Sequence, residues 1–283
     1  MAAISTLINP LGPADDELLT FWNNDSGDLV LVQRKGPSKP TDLIWTKTAK
    51  QTGIVKNPSS IVALQYQGLI NVYGITSGAT STLKRLSPTI EPLKYNIPIT
   101  QVASLAGAVT EDFTQGWLYY LAVDDNDATV LNEYSIDGSS DPVTLEGYEP
   151  AVDTYLAATC WGGGKRCVFF QKGNIRMVDI DAGRETKLAS TKSARKATPL
   201  AACTAPDTNG NETRYLYYVD GSLVLQRLTI TADEKTDQKV LNEAPNLAAW
   251  SQLAVTPGKT HNFISYVTTA GQKQKVTIWA DKR

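Results

Sequence analysis

A three-strand unit that recurs along the whole chain constrains the fold more than any other feature of this sequence. The unit is clearest at residues 200–230, LAACTAPDTNGNETRYLYYVDGSLVLQRLTI. An Asn-Gly-Asn loop joins a short apolar strand to an alternating aromatic strand, and an Asp-Gly-Ser turn leads into a β-branched amphipathic strand. Asn, Asp and Gly tolerate the positive φ angles of tight turns, so the segment predicts three antiparallel strands.

The unit occurs six times at a nearly constant spacing. The central residues of the six second strands are separated by 51, 47, 50, 48 and 47 residues. Such a period is typical of propeller blades or solenoid coils. The six central residues are Phe21, Val72, Tyr119, Phe169, Tyr217 and Ile264.

A weaker, polar and β-prone stretch follows the third strand in several units, which predicts an exposed fourth strand. These stretches are 42–48, 142–148, 185–191 and 237–243. Four short antiparallel strands repeated radially form a β-propeller, so we predict an all-β, six-bladed propeller with mostly four-stranded blades. We expect one domain over residues 1–283, with blades near 1–50, 51–98, 99–150, 151–195, 196–245 and 246–283.

Two structural points stay open in the sequence. Residues 103–113 also fit a short helix, although their position in the repeat favours a strand and a loop. The last unit shows no evident fourth strand. The ring therefore closes either through a shortened blade or through pairing of the first residues across the seam.

Charge and hydropathy exclude several classes of partner. The formal net charge of the 283-residue chain is -2, which gives no electrostatic basis for binding nucleic acid or an anionic membrane. No apolar run approaches the roughly 20 residues of a membrane-spanning helix. The first residues do not resemble a secretion signal, so we expect a cytoplasmic or non-classically secreted protein.

The chain has three cysteines, and an odd number does not make a disulfide framework. Cys160 and Cys167 flank a short loop and are candidates for pairing across a hairpin. We favour the alternative that they are small buried residues in a reducing compartment.

Motifs for common reactive centres are incomplete. The chain has one histidine, His261, in a polar loop, and its cysteines lie on different strands without the close pairs of a zinc site. The acidic segment 124–127 lacks the glycine and closing Glu of a calcium loop, and residues 161–166 lack the phosphate-loop spacing. We therefore predict no cofactor, no metal and no conventional catalytic triad.

A propeller offers two kinds of pocket, the central channel and the grooves between blades. Polar and aromatic residues interrupt otherwise apolar first strands at Tyr66, Trp161, Trp250 and Gln252, and these are candidate lining residues. The alternative for Trp161 and Trp250 is plain packing between blades.

Two segments carry a family resemblance: LAATCWGGGKRCVFFQKGNIRM (156–177), and LAAC with ETRYLYYVDGSLVLQR at 200–227. They resemble blades of the fungal fucose-specific lectins, the Aleuria aurantia lectin family. The resemblance implies a six-bladed propeller that binds fucose between blades. It also implies an Arg at the start of the second strand, a Glu about 12 residues later, and an aromatic residue from the neighbouring blade.

Transferred to this chain, those ligand positions are incompletely occupied. Arg214 is followed 12 residues later by Gln226, Arg166 by Met177 near the Glu position, and Glu133 is preceded by Trp117 near the Arg position. Units one, two and six place Leu19, Asn71 and Asn262 near the Arg position. Trp45 matches a tryptophan that the family often carries in its outer stretch. The best residual site is Arg214 with Gln226.

Three functions remain open. The first is carbohydrate binding at one or two residual sites between blades. The second is a repurposed propeller that binds an apolar small molecule, with a cofactor-independent cyclase or Diels-Alderase of fungal secondary metabolism as its enzymatic form. The third is a protein-interaction platform. The expected partner is thus a glycan or a small apolar molecule, and a homodimer is kept as an alternative to a monomer.

Overall fold

The computed structural model describes residues 3–12, 17–35, 43–48, 53–78, 80–97, 99, 104–270 and 273–283. These residues form six antiparallel sheets, each built from consecutive strands. The prediction of an all-β, six-bladed propeller with mostly four-stranded blades is confirmed.

The first three blades each contain four strands. Blade 1 consists of β1 (Ile4–Ile8), β2 (Glu17–Asn23), β3 (Leu29–Lys35) and β4 (Leu43–Thr48). Blade 2 consists of β5 (Ile61–Tyr66), β6 (Leu69–Thr76), β7 (Thr82–Ser87) and β8 (Glu91–Pro92). Blade 3 consists of β9 (Leu105–Val109), β10 (Gly116–Val123), β11 (Thr129–Ser135) and β12 (Val143–Leu145).

Blades 4 and 5 are also four-stranded, whereas blade 6 has three strands among the described residues. Blade 4 consists of β13 (Ala157–Trp161), β14 (Lys165–Lys172), β15 (Asn174–Asp179) and β16 (Arg184–Lys187), followed by a 3-10 helix at Ala189–Ser193. Blade 5 consists of β17 (Ala201–Pro206), β18 (Glu212–Val219), β19 (Leu225–Ile230) and β20 (Thr236–Val240). Blade 6 consists of β21 (Ala254–Pro257), β22 (His261–Ala270) and β23 (Lys273–Lys282).

The apolar core lies between blades, because side chains alternate across each strand. On β10, Leu118 and Tyr120 pack against blade 2, whereas Tyr119 and Leu121 pack against blade 4. The first strands contact one another in order around the ring, and β21 contacts β1. Their small residues, such as Ala158 in β13, fit this crowded centre.

Among the described residues the seam is joined by side chains rather than by a shared sheet, and the Thr6 hydroxyl of blade 1 donates to Ser265 of blade 6 at 2.8 Å. Gln252, which lies just before β21, accepts hydrogen bonds from the backbone N–H groups of Ile4 at 3.0 Å and Ile61 at 3.2 Å. Its amide nitrogen donates to the carbonyl of Ile61 at 3.0 Å. One buried amide therefore ties blades 6, 1 and 2 together, and a shortened last blade closes the ring.

Some strand limits differ from the sequence-based expectation. The repeat predicts the first strand of blade 3 at 101–107 and that of blade 6 at 250–256. In the structure these strands run over Leu105–Val109 and Ala254–Pro257. Both strands are set by pairing with their second strand, since Leu105 lies opposite Tyr120 and Ala254 opposite Ser265. Residues 103–113 contain β9 and a loop and no helix at the described positions.

Candidate functional site

A charged cluster crosses the boundary between blades 3 and 4. The Nη1 of Arg166, at the start of β14, donates to Oε1 of Glu133 on β11 at 2.6 Å. Its Nε and Nη2 donate to Oδ1 of Asp181 at 3.0 and 2.6 Å, and its backbone N–H donates to Oδ2 at 2.6 Å. One guanidinium is thus held by two carboxylates from different blades.

Strand alternation explains why these residues meet. Phe169 of β14 packs toward blade 5, so Arg166, three residues earlier, points the other way, toward blade 3. Glu133 lies opposite Tyr119, whose ring packs toward blade 4. The Arg166 guanidinium also lies over the ring of Trp117, with 5.1 Å between its Cζ and the ring centroid. Arginine, glutamate and tryptophan therefore assemble from two neighbouring units.

The pKa values of the two carboxyl groups that contact Arg166 are shifted in opposite directions. Burial raises the pKa of Glu133, against the opposing effects of Tyr119 and Arg166. Burial also acts to raise the pKa of Asp181, but the hydrogen bonds from Arg166 outweigh it and lower that pKa overall. Asp181 is thus the stronger partner of the guanidinium, and Glu133 carries a desolvation cost.

The boundary between blades 4 and 5 repeats this arrangement without carboxylates. Arg214 of β18 is 1% exposed, and its Cζ lies 4.0 Å from the ring centroid of Trp161. Its nitrogens contact Sδ of Met177 at 3.5 Å and the carbonyl of Thr231 at 3.1 Å. Among the described residues no carboxylate forms an ion pair with Arg214, and its Nε has no hydrogen-bond acceptor.

At the boundary between blades 5 and 6 the positions of the acidic and basic residues are exchanged relative to the boundary between blades 3 and 4. Arg227 occupies the ladder position that Glu133 has in blade 3, and its Nη1 donates to Oδ2 of Asp281 at 2.8 Å. The Tyr217 hydroxyl donates to the same oxygen at 2.8 Å and accepts from the amide of Asn262 at 2.8 Å. The Asp281 carboxylate and the Tyr217 hydroxyl are thus bound by groups of the chain itself, whereas Nε of Arg227 is buried without an acceptor.

A cleft of about 510 Å³ lies beside the Arg166 cluster, on the face that carries the loops between first and second strands. Cys160, in its wall, lies opposite Arg166 in the β13–β14 ladder, and the charges of Arg166, Asp181 and Glu133 act on its thiol. Cys160 therefore connects the wall of the cleft to the cluster, whose own four residues Arg166, Glu133, Asp181 and Trp117 are not part of the lining. Its lining combines polar side chains with an indole, a thiol and two glycines, and comprises Thr110, Glu111, Asp112, Thr114, Gln115, Cys160, Trp161, Gly163, Gly164 and Glu212.

The central channel, with a volume of about 670 Å³, opens on the same face. It is lined mainly by apolar residues of the first strands, including Leu7, Leu64, Ala108, Ala158 and Val255. Thr110, Glu111, Cys160 and Glu212 border both the channel and the cleft.

The structure does not bring Arg214 and Gln226 together. Arg214 lies opposite Ile230 whereas Gln226 lies opposite Tyr218, four residues along the strand, a separation of about 13 Å. Gln226 donates to Asp220 at 2.9 Å and accepts from Gln238 at 3.3 Å. Both polar ends of this glutamine are thus engaged away from the arginine.

The other candidates are dispersed. Tyr66 is buried at the boundary of blades 2 and 3, where its hydroxyl accepts from Gln67 at 3.0 Å. Trp250 is 56% exposed beside the start of blade 6, away from the loops that form the cleft, and Gln252 is the buried seam residue. Trp45 lies on β4 opposite Gln33, and its side chain falls outside what the structure describes.

Several residues of the cluster and cleft escaped the sequence reasoning. Asp181 follows β15 and reaches back to Arg166, and Glu111, Asp112 and Glu212 sit on or beside loops that the ring brings together. The sequence indicates only on which face of its strand each of Arg166 and Glu133 lies. Comparing these faces between neighbouring blades predicts that the two side chains meet.

The described residues contain no serine or cysteine centre activated by histidine. Nδ1 of His261 lies 2.8 Å from the hydroxyl of Thr260 on the exposed surface. The three cysteines are free, and burial raises the pKa of each to about 12. No group of His, Cys, Asp and Glu in the described ranges is arranged to hold a metal ion. Likewise, none of the described segments is a helix of the length and apolarity needed to cross a bilayer.

Comparison with known proteins places this geometry in context. No protein-family model matches the sequence. AofleA from Arthrobotrys oligospora superposes with a TM-score of 0.66 at 13% identity, covering 100% of this chain and 86% of that one. The fucose-specific lectin from Aleuria aurantia superposes with a TM-score of 0.64 at 14% identity, covering 99% and 96%. The chain has the six-bladed propeller fold of the Aleuria aurantia lectin. At this identity the likeness concerns the fold alone.

Two fungal proteins are similar in sequence. The wall-associated proteinase of Coccidioides posadasii is 29% identical over 237 residues, covering 80% of this chain and 76% of the relative. Its counterpart from Coccidioides immitis is 28% identical over the same length. The sequence similarity to these two proteins extends over 80% of this chain.

Proposed function

We propose that this lectin-like propeller binds carbohydrate at the boundary of blades 3 and 4. The observation that carries the proposal is the Arg166 guanidinium, oriented by Glu133 and Asp181 beside the ring of Trp117. Its ladder partner Cys160 lies in the wall of a cleft of about 510 Å³. A cleft of this size suits a mono- or disaccharide.

The chemistry of the cluster suits sugar hydroxyls. A guanidinium has five N–H donors, and three hydrogen bonds to Glu133 and Asp181 leave two of them for a ligand. Carboxylate oxygens accept from hydroxyls, and charge-assisted bonds of this kind fix orientation. Trp117 and Trp161 supply aromatic surface for the apolar face of a sugar ring. Thr110, Thr114 and Gln115 add neutral donors and acceptors.

The test is a glycan array followed by calorimetry of the bound glycans, including fucosides. We expect Arg166→Ala to abolish binding while the variant stays folded. Arg176→Ala is the matched control, because Arg176 is a comparably exposed arginine of the same blade that pairs with Glu185 at 3.1 Å. Absence of binding to every glycan, or equal binding by the wild type and Arg166→Ala, would refute the proposal.

The proteinase name of the two relatives finds no matching site in the described part of this chain. Hydrolysis of a peptide bond needs an activated nucleophile, paired acid-base carboxylates or a metal-bound water. His261 lacks a serine, cysteine or carboxylate partner in the structure, and the buried cysteines are held as thiols. We therefore propose that the chain binds carbohydrate rather than cleaves peptide bonds.

The central channel supports a second candidate function, the binding of an apolar small molecule. The support is its mainly aliphatic lining and its volume of about 670 Å³, which suit a compact hydrophobic ligand. A cofactor-independent cyclisation would need only shape and desolvation there. Fluorescence titration with apolar probes tests it. Binding that stays unchanged in Leu64→Arg, which places a charge at a partly exposed residue of the channel lining, would refute it.

A further inference from the structure

The ring of Trp161, which lines the cleft, already carries a cation of the chain itself. The Lys165 ammonium lies 5.2 Å from the centroid of the Trp161 ring, and Lys165 is exposed. Arg214 contacts the same ring from the buried side of the blade boundary, with its Cζ 4.0 Å from the centroid. Since an aromatic face attracts cations, the solvent-accessible part of Trp161 is a place where an ammonium group is stable.

The charge of the surrounding wall favours the same kind of group. Three carboxylates line the cleft, those of Glu111, Asp112 and Glu212, and among the described residues no lysine or arginine belongs to its lining. Hydrogen bonds from Thr110 and Thr114 lower the pKa of Asp112, so this carboxyl stays ionised in mild acid. Glu212 accepts from the backbone N–H of Gly162 at 2.6 Å, which holds it at the cleft. None of the three carboxylates forms an ion pair within the described part of the chain.

We infer that the ligand of this cleft is an amino sugar, whose protonated amine replaces the Lys165 ammonium on Trp161. The inference rests on the proposed carbohydrate binding and specifies its ligand class. The ligand ammonium gains the aromatic face and the three carboxylates, whereas its hydroxyls meet Thr110, Thr114 and Gln115 at the other walls. Displacing Lys165 costs little, because a solvated lysine on the surface regains its freedom.

Two ligands that differ only in the charge of their amino groups test whether this charge contributes to binding. We would compare a glucosamine tetrasaccharide with the N-acetylglucosamine tetrasaccharide by calorimetry at slightly acidic pH, in low and high salt. The two differ only in that the amine is free or acetylated. We expect the amine form to bind at least about fivefold more tightly in low salt, with the advantage shrinking in high salt. Equal binding of the two, or tighter binding of the acetylated form, would overturn the inference.

Two variants act on the proposed contacts in opposite directions. Lys165→Ala removes the competing cation and is expected to tighten binding of the amine form a few-fold. Glu111→Gln removes one carboxylate of the wall and is expected to weaken it a few-fold, without affecting the acetylated form. Lys172→Ala is the control, since Lys172 lies at the other end of the same strand and pairs with Glu149. Weaker binding by Lys165→Ala would overturn the inference.

The outcomes separate this inference from the proposed function. If a neutral glycan binds in an Arg166-dependent way and the glucosamine oligomer does not, carbohydrate binding stands and the amine preference fails. If no glycan of either kind binds, both fail. A lysine-rich peptide that binds as tightly as the glucosamine oligomer would also overturn the assignment to a sugar.

Discussion

The guanidinium of Arg214 and the indole of Trp161 stack across the boundary between blades 4 and 5. At the preceding boundary the corresponding contact is the ion pair of Arg166 with Glu133. The groups next to Arg214 are the Met177 thioether and a backbone carbonyl, and no described carboxylate neutralises its charge. Burial of a cation in such surroundings is costly, so its contribution to stability comes mainly from packing.

We therefore expect the cost of replacing Arg214 to depend on side-chain volume more than on charge. Arg214→Ala leaves a cavity and should lower the free energy of unfolding by about 2–4 kcal/mol. Arg214→Met fills most of the volume without a desolvated charge and should change it by less than about 1 kcal/mol. Urea unfolding checks both values. A loss as large for methionine as for alanine would contradict this account.

The two carboxyls that hold Arg166 should respond to pH with opposite signs. Burial raises the pKa of folded Glu133, so its ionisation at neutral pH destabilises the fold, and this cost vanishes as the pH falls below the unfolded pKa. Glu133→Gln should therefore stabilise the protein at neutral pH and lose its advantage in acid.

The pKa of Asp181 is lowered in the fold, so its ionised form stabilises the fold above the unfolded pKa, and this contribution is lost as the pH falls through the folded pKa. Asp181→Asn should destabilise the protein at neutral pH, and the difference should vanish in acid. Unfolding free energies of both variants at neutral and acidic pH are the measurement. The same sign for both variants at neutral pH would count against the assigned partners.

Asp281 is the residue on which the boundary of blades 5 and 6 depends. Its carboxylate accepts from Arg227 and Tyr217, and its side chain is 2% exposed. Asp281→Ala leaves Arg227 buried without its counter-charge and should cost about 3–5 kcal/mol. Asp233→Ala, which breaks an exposed pair with Lys235, should leave the unfolding free energy nearly unchanged in the same denaturation experiment.

Thiol labelling should distinguish the three cysteines. Cys160 lies opposite Arg166 and Cys167 opposite Thr159, so their side chains point to opposite faces of the sheet and do not pair. Burial raises the pKa of all three thiols to about 12, and Cys160 alone is partly exposed. We expect slow alkylation of Cys160 in the native protein, further slowed by a ligand in the cleft.

Peptide mass spectrometry after iodoacetamide treatment, with a urea-unfolded sample as control, checks the labelling prediction. Equal labelling of Cys160 and Cys203 in the folded protein would contradict the burial on which it rests. Full protection of Cys160 without ligand would show that the cleft is narrower than its lining implies.

The fold was predictable because the repeat combines three independent signals. Alternation in segments such as RYLYYV at 214–219 identifies strands, Asp-Gly and Asn-Gly identify turns, and the period of 47 to 51 residues identifies the blades. The outermost strand of blade 2, Glu91–Pro92, carries none of these signals and was missed. Two residues are too short for a periodic pattern.

The candidate site was less predictable, because its partners come from different units. A spacing of about 12 residues within one unit pairs Arg214 with Gln226, which share a face of the sheet but lie at opposite ends of it. Arg166 and Glu133 are 33 residues apart and meet only because consecutive blades stack face to face. Contacts across a stacked boundary depend on strand parity and blade order rather than on local spacing.

Gln252 gives the seam a mechanical property that the other boundaries lack. Every ladder of backbone hydrogen bonds among the described strands stays within one blade. The first and last described strands belong to blades 1 and 6, two of the three blades that this amide joins. A force that pulls the two ends of the chain apart would therefore act on the Gln252 hydrogen bonds between blades as well as on the sheets. We expect blades 1 and 6 to separate at this boundary while all six sheets are still folded.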